Sequence, residues 1–567
     1  MIQQLAALVP PELAAAAMLL ATAALTLLVG GIRRGRAFLP NVPALLFIIA
    51  GAAWFWPLAV MHVTPWVGSG LLLAAAAALL GHTAAQSDLR AEPRTLDRGA
   101  PRAARLYLVT VLLIAVVLLF YDLGGYSGTL LVWEGPVTDG FAAAFNAGQS
   151  VWRFAAEHFL WDDGILSAGH TSLFYGAPTY LLFTLAGFSP WTLRCPAVIA
   201  TLLSIAVMYA LGCRFFGRTV GAAAAVALGL NACVLFYGRY GSSPAGTLLA
   251  ILLALWATWR FLDADRSAWW MGGVCAVALY LATLQYSPAR IVVLILLGLI
   301  PLVLACQWRR LWWQRLVGLA LIVIATAGVW RLEGQFNRHP NLFAARGEQF
   351  FACIHHPDCI RDTLGRTVRP EALTPFDTIE LLYRTVAVTI PQYVGILTPQ
   401  SNPGPPGSVI AFDPPPLPLY FGPAVLFILL GFAHSLTRIR SWRHACLILW
   451  VCGSTVPLLL TNRVDAHRTM LFVIPLSFFA ALGIWEVAQV LREAQMPGIL
   501  QHIFAAVLVL TAVWSDANLL YFAPVAYQPR VPYSTRVPYY PRISLPLAGE
   551  SLAGGSQQCP DRSPSAR

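Results

Sequence analysis

Glu134, Asp139, Glu157, Asp162 and Asp163 all fall in the stretch Leu131 to Phe188 of a chain that is only 11% charged. A carboxylate within hydrogen-bond reach of a hydroxyl takes its proton as that oxygen attacks, and oxygen donors in pairs hold a divalent metal. Glu134 and Asp139 are the pair to weigh for such work, because a turn at Gly135-Pro136 would bring them together. A solvated loop carboxylate or salt-bridge partner is the plainer reading of each. Asp162-Asp163 reads as a turn or helix cap, and His170 as structural.

A second set of residues suits phosphate. Arg239 in YGRYG, Arg290 in YSPAR, and Arg463, His467 and Arg468 in NRVDAHR stand next to apolar runs. A guanidinium fork matches phosphate oxygens better than a point charge does. Snorkelling to lipid headgroups, or structural pairing for the last three, is the alternative use. CIHHPDC, residues 353–359, has the ligand types of a zinc site. Its segment is expected outside the cell, where thiols oxidise, so a short disulfide between Cys353 and Cys359 is the preferred reading.

These groups need elements to position them, and composition says which. The chain is 58% hydrophobic with a mean hydropathy of +0.67. Its repeated apolar runs must be helices, since lipid offers no partner to an open backbone. The fold class is therefore an all-α polytopic membrane protein. About fourteen transmembrane helices are expected, near 13–31, 39–61, 66–84, 105–121, 194–213, 219–236, 245–262, 268–286, 290–306, 316–332, 417–436, 444–461, 469–489 and 500–520.

All 37 basic residues are arginine, and their positions orient the spans. Arg33, Arg34 and Arg36 follow the first. Arg90, Arg94, Arg98, Arg102 and Arg105 separate the third from the fourth, and Arg214 and Arg218 follow the fifth. Arg266 follows the seventh, Arg309, Arg310 and Arg315 the ninth, Arg438, Arg440 and Arg443 the eleventh, and Arg492 the thirteenth. With these inside, the alternation holds and both termini lie outside.

The resulting organisation is N-terminal transmembrane helices at 1–121, an acidic outer loop at 122–193 and further spans at 194–332. A second outer loop, rich in proline, occupies 333–416. C-terminal spans at 417–522 precede an outer tail, 523–567, expected to be disordered. Short interfacial helices are expected in the first loop, across Phe141 to Leu160 and Pro178 to Phe188. Cys195, Cys213, Cys233, Cys275, Cys446 and Cys452 lie in apolar runs, and Cys306 ends one; all seven read as packing residues.

The ordered set of segments resembles a known family. After the acidic loop come YGAPTYLLFTLAGFSPWTLRCPAVIATLLSIAVMYALGCRFFGRTVG (175–221), LFYGRYGSSPAGTLLAILLALW (235–256) and LYLATLQYSPARIVVL (279–294), with HRTMLFVIPLSFFAALGI (467–484) later. This is similar to the GT-C membrane glycosyltransferases of the protein O-mannosyltransferase and lipid A aminoarabinose transferase type, most clearly over 120–300. The resemblance implies a helical bundle whose first outer loop holds the active site, and a polyprenyl-phosphate sugar donor used on the outer face. It implies an Asp-Glu pair at the start of that loop. Trp133-Glu134 stands there instead, so Glu134 matches the second member and the aspartate is absent.

The expected activity is thus transfer of a hexosyl or pentosyl group from a polyprenyl phosphate to an acceptor glycan, lipid or protein, with inversion. Glu134 and Asp139 are the catalytic or metal-binding carboxylates. Arg239, Arg290, Arg463, His467 and Arg468 are the substrate-binding groups. The cofactor is open, a divalent metal being the one considered. No P-loop, dinucleotide turn or large cytoplasmic domain is present to bind a nucleotide sugar. The net charge of +11 sits on loop arginines facing membrane lipids and points to no nucleic acid. The expected location is a bacterial inner membrane. A transporter or flippase for a lipid-linked glycan, or a non-catalytic homologue, is the alternative.

Overall fold

The computed structural model describes residues 101–121, 123, 141, 144–155, 173–187, 189–239, 241, 243–264, 268–285, 289–306, 316–324, 372–381, 422–459, 466–493, 506 and 509. Among these residues the chain is helical, with no strand. The helices are α1 (Pro101–Phe120), α2 (Val151–Ala155), α3 (Leu173–Ala186), α4 (Pro190–Phe215), α5 (Arg218–Gly229), α6 (Ala232–Arg239) and α7 (Pro244–Asp263). They continue as α8 (Ala268–Thr283), α9 (Ala289–Cys306), α10 (Gly422–Thr437), α11 (Trp442–Leu459) and α12 (Ala466–Glu493).

The central helix is α4, and its start is written in the sequence. The Ser189 hydroxyl accepts the Thr192 N–H at 3.1 Å, the Thr192 hydroxyl accepts the Ser189 N–H at 2.9 Å, and Pro190 needs no donor at the first position. Twenty-six residues then rise about 39 Å, enough to cross a bilayer. α4, α7 and residues Phe472–Gln489 of α12 are long and apolar enough to span a membrane.

Gly217, at φ +101°, turns the chain from α4 into α5. Gly212 and Gly221 meet backbone to backbone across this hairpin, where a Cβ on either would collide with the other helix. The span expected over 219–236 is not one straight helix. α5 and α6 meet at a bend of 59°. Asn231 causes the restart: its side-chain oxygen accepts the Val234 N–H at 3.0 Å and so caps α6.

The segment expected to form the first outer loop also differs from expectation in detail. The segment from Phe141 is interrupted by Gly148, at φ +68°, before Ser150 caps α2 through the Arg153 N–H. α3 starts at Leu173 and carries Pro178 inside it rather than at its start. At fourteen residues, about 21 Å, it is too short to cross.

The main core lies between α4, α7, α11 and α12, where Phe215, Phe216, Trp259, Trp450 and Phe478 are buried. The Trp259 indole donates to Cys446 Sγ at 3.4 Å. The six cysteines of the apolar runs are free thiols.

Helix ends expected on one side of the membrane meet one another. Asp263 at the end of α7 accepts from Arg214 at the end of α4 (3.3 Å) and from Arg443 at the start of α11 (3.1 Å). Residues 333–371, with Cys353 and Cys359, lie outside the described residues, as do the other expected spans before 101.

Candidate functional site

At the opposite end of the bundle, α1 finishes and the acidic loop begins. The last carbonyls of a helix have no partner within it and carry partial negative charge. Here two buried arginines meet them. Arg239, the last residue of α6, donates to the Tyr121 carbonyl at 2.7 Å and to that of Leu118 at 3.4 Å. Arg194, in the first turn of α4, donates to the Leu123 carbonyl at 2.8 Å. Arg194 is 0% exposed and Arg239 3%. Gly238 lets α6 approach so closely: its Cα faces the Thr201 hydroxyl of α4 and the Leu119 side chain of α1, leaving no room for a Cβ.

The far root of the same loop is held from just beyond the end of α8. Gln285, 5% exposed, accepts the Phe174 N–H at 3.4 Å through Oε1 and donates through Nε2 to the Leu281 carbonyl at 2.9 Å. One bond therefore reaches the start of α3, and the other ties the Gln285 amide back to α8.

Between the roots lies a small aromatic core. Phe154 stacks on Tyr180 with centroids 4.1 Å apart, and Phe141 meets Phe154 at 5.5 Å. This group packs on Ala197 and Ala200 of α4 and on Ala245 and Leu249 of α7. The Tyr180 hydroxyl donates to the Gln149 carbonyl at 2.8 Å, and Tyr175 donates to that of Leu193 at 3.2 Å. Burial raises the Tyr180 pKa above its ordinary value, which keeps the donor protonated.

The residues singled out in sequence fare differently. Glu134 and Asp139 lie outside the described residues, as do Glu157, Asp162, Asp163, His170 and Arg463. His467 and Arg468 fall in the first turn of α12, with their side chains outside the described residues. Arg290 is half-buried in the first turn of α9, at the same end of the bundle as Arg239. Arg239, expected to face phosphate or headgroups, directs two nitrogens at backbone carbonyls. Arg194 and Gln285 were not foreseen. The signal for Arg194 was available: it is an arginine at the start of a span expected to lie outside, against the positive-inside tendency. Among the described residues no group of three or more His, Cys, Asp or Glu is placed to hold a metal.

Residues 173–330 match the family model for dolichyl-phosphate-mannose-protein mannosyltransferase. The resemblance is to GT-C membrane glycosyltransferases. The glycosyltransferase-like segment begins with α3 and includes Arg194, Arg239, Gln285 and Arg290, while Glu134 and Asp139 precede it.

Among solved structures, the archaeal oligosaccharyltransferase AglB from Archaeoglobus fulgidus, in complex with an inhibitory peptide and a dolichol-phosphate, is similar at 16% identity. The similarity covers 74% of this chain and 55% of AglB, with a TM-score of 0.40. ArnT from Cupriavidus metallidurans in the apo state is similar at 14% identity over 67% of this chain and 77% of ArnT, with a TM-score of 0.32. The same protein bound to undecaprenyl phosphate gives 15%, 69% and 79%, with a TM-score of 0.31. This chain spans about half the length of the AglB chain it matches. No curated protein matches it.

Proposed function

We propose that the protein is an integral-membrane glycosyltransferase that moves a sugar from a polyprenyl-phosphate donor to an acceptor hydroxyl on the outer face of a bacterial inner membrane. The observation that carries this reading is the family match over residues 173–330. The absence of any nucleotide-binding motif in the sequence supports a lipid-linked donor.

In this reading Glu134, with Asp139 beside it, takes the proton of the acceptor hydroxyl. The acceptor oxygen attacks the anomeric carbon, the bond from that carbon to the phosphate oxygen breaks, and the electron pair leaves on the polyprenyl phosphate. Arg290, with Arg463, His467 and Arg468, meets the growing phosphate charge. Arg239 serves the site as the support of α1. The acceptor is a glycan, a lipid or a protein.

The test is sugar transfer in membranes carrying wild type, Glu134→Gln or Asp139→Asn, with a panel of polyprenyl-phosphate sugars and label followed into lipid, glycan and protein. Wild-type transfer that falls at least about a hundredfold in one variant is the expected result. Transfer untouched by both changes removes these carboxylates from the mechanism.

A transport reading draws on one observation, the buried His434–Glu486 pair on α10 and α12, since ionisable groups inside a membrane mark ion and substrate paths. Movement of labelled donor between leaflets without transfer, lost in Glu486→Gln, would favour it.

A further inference from the structure

We infer that Arg194 and Gln285 are positioning residues that hold the two roots of the acidic outer loop, next to the contacts that Arg239 makes at the end of α1. The catalytic consequence rests on the glycosyltransferase reading; the pinning itself does not.

The stretch from Leu123 to Phe174 contains every acidic residue of the first outer loop after Asp122. Its entry is tied by Arg194 Nη1 to the Leu123 carbonyl at 2.8 Å, and its exit by Gln285 Oε1 to the Phe174 N–H at 3.4 Å. Arg194 sits on α4 and Gln285 just past the end of α8, parts of the bundle and not of the loop. A buried guanidinium is costly unless paired, and a buried backbone carbonyl is costly unless bonded. Arg194 and Leu123 therefore hold one another with a charge-assisted bond at a site from which water is excluded.

The geometry favours holding over simple packing. Arg194 and Arg239 approach the same helix end from two helices, and their targets, Leu118, Tyr121 and Leu123, are the last carbonyls described before the acidic stretch. A packing role would be met by an apolar side chain, as at Ala197 and Ala200 one turn and two turns further along α4. Arginine and glutamine at these two points supply direction, which apolar contacts lack. Loop residues that act on a sugar have to stand within an ångström of their target, and a root displaced by that much misplaces them.

The experiment uses the full chain in nanodiscs. Backbone hydrogen exchange is followed in wild type, Arg194→Gln, Arg194→Lys and Gln285→Leu. Arg194→Gln raises exchange about tenfold in peptides from 118–145, from loss of one charge-assisted bond. Arg194→Lys, which keeps a cation and a donor, returns most of that protection. Gln285→Leu raises exchange around 170–180 and leaves 118–145 as in wild type. In the transfer assay, both Arg194→Gln and Gln285→Leu lower kcat with KM for the lipid donor unchanged. Exchange that stays at wild-type values at both roots overturns the proposal. So does a rise shared equally by α11 and α12, which would make these residues parts of the general core, and so does a lysine variant no better than glutamine. If no sugar is transferred from any donor while the exchange pattern appears, the pinning stands and the proposed function fails.

Discussion

His434 Nδ1 on α10 and Glu486 Oε1 on α12 lie 2.5 Å apart, both side chains buried. Gly431 and Gly483 stand one turn before them on the respective helices. A Cβ on Gly431 would collide with the Phe479 backbone, and one on Gly483 with the Phe427 backbone. The two helices run parallel and touch, and this contact brings the ionisable pair together. His444 adds to the cluster through its bond to Ser435 Oγ at 3.1 Å.

That contact leads to a graded prediction. Gly431→Ala and Gly483→Ala each destabilise the protein by about 1–3 kcal/mol, because backbone rather than a side-chain tip must give way. Gly298→Ala in α9, where a Cβ meets nothing within 4 Å, is neutral or gains up to about 1 kcal/mol from helix propensity. Thermal unfolding of purified protein in one detergent ranks the three.

Removing one partner of the buried pair leaves the other buried without it. Glu486→Ala costs about 1–3 kcal/mol, while Glu486→Met combined with His434→Leu recovers much of that loss. The interaction energy from the double-mutant cycle is the quantity to measure; a value near zero would deny that the two residues hold each other.

Asp263 has two unequal partners. Arg443 has a 14% exposed side chain, faces the rings of Phe215 and Trp442, and also donates to the Phe215 carbonyl at 3.4 Å; the Arg214 side chain is 46% exposed. Solvent screens the second bridge far more than the first. Arg214→Gln should change stability by less than about 1 kcal/mol and Arg443→Gln by more. Equal losses in denaturant titrations would show that burial does not separate them.

Arg290 is the described arginine assigned to phosphate in the proposed reaction. Arg290→Lys keeps the charge and loses the fork, so KM for the polyprenyl-phosphate sugar should rise about tenfold, measured from initial rates across donor concentration. A KM equal to that of wild type would remove Arg290 from the donor site.

The helices themselves were legible because their causes are local. Long apolar runs in α4, α7 and α12 are written within a few residues of where they act. The bend at Asn231 was missed because one amide capping an N–H does not disturb an apolar run. What lay beyond the sequence was the choice of partner for each buried polar group. Arg194 reaches a carbonyl 71 residues away, Arg239 one 121 residues away and Arg443 one 228 residues away. Residue type fixes that an arginine inside a membrane protein must find acceptors, since burial without them is too costly. Which acceptors it finds depends on which helix ends packing brings together, and that is decided by side chains meeting across helices, not by spacing along any one of them.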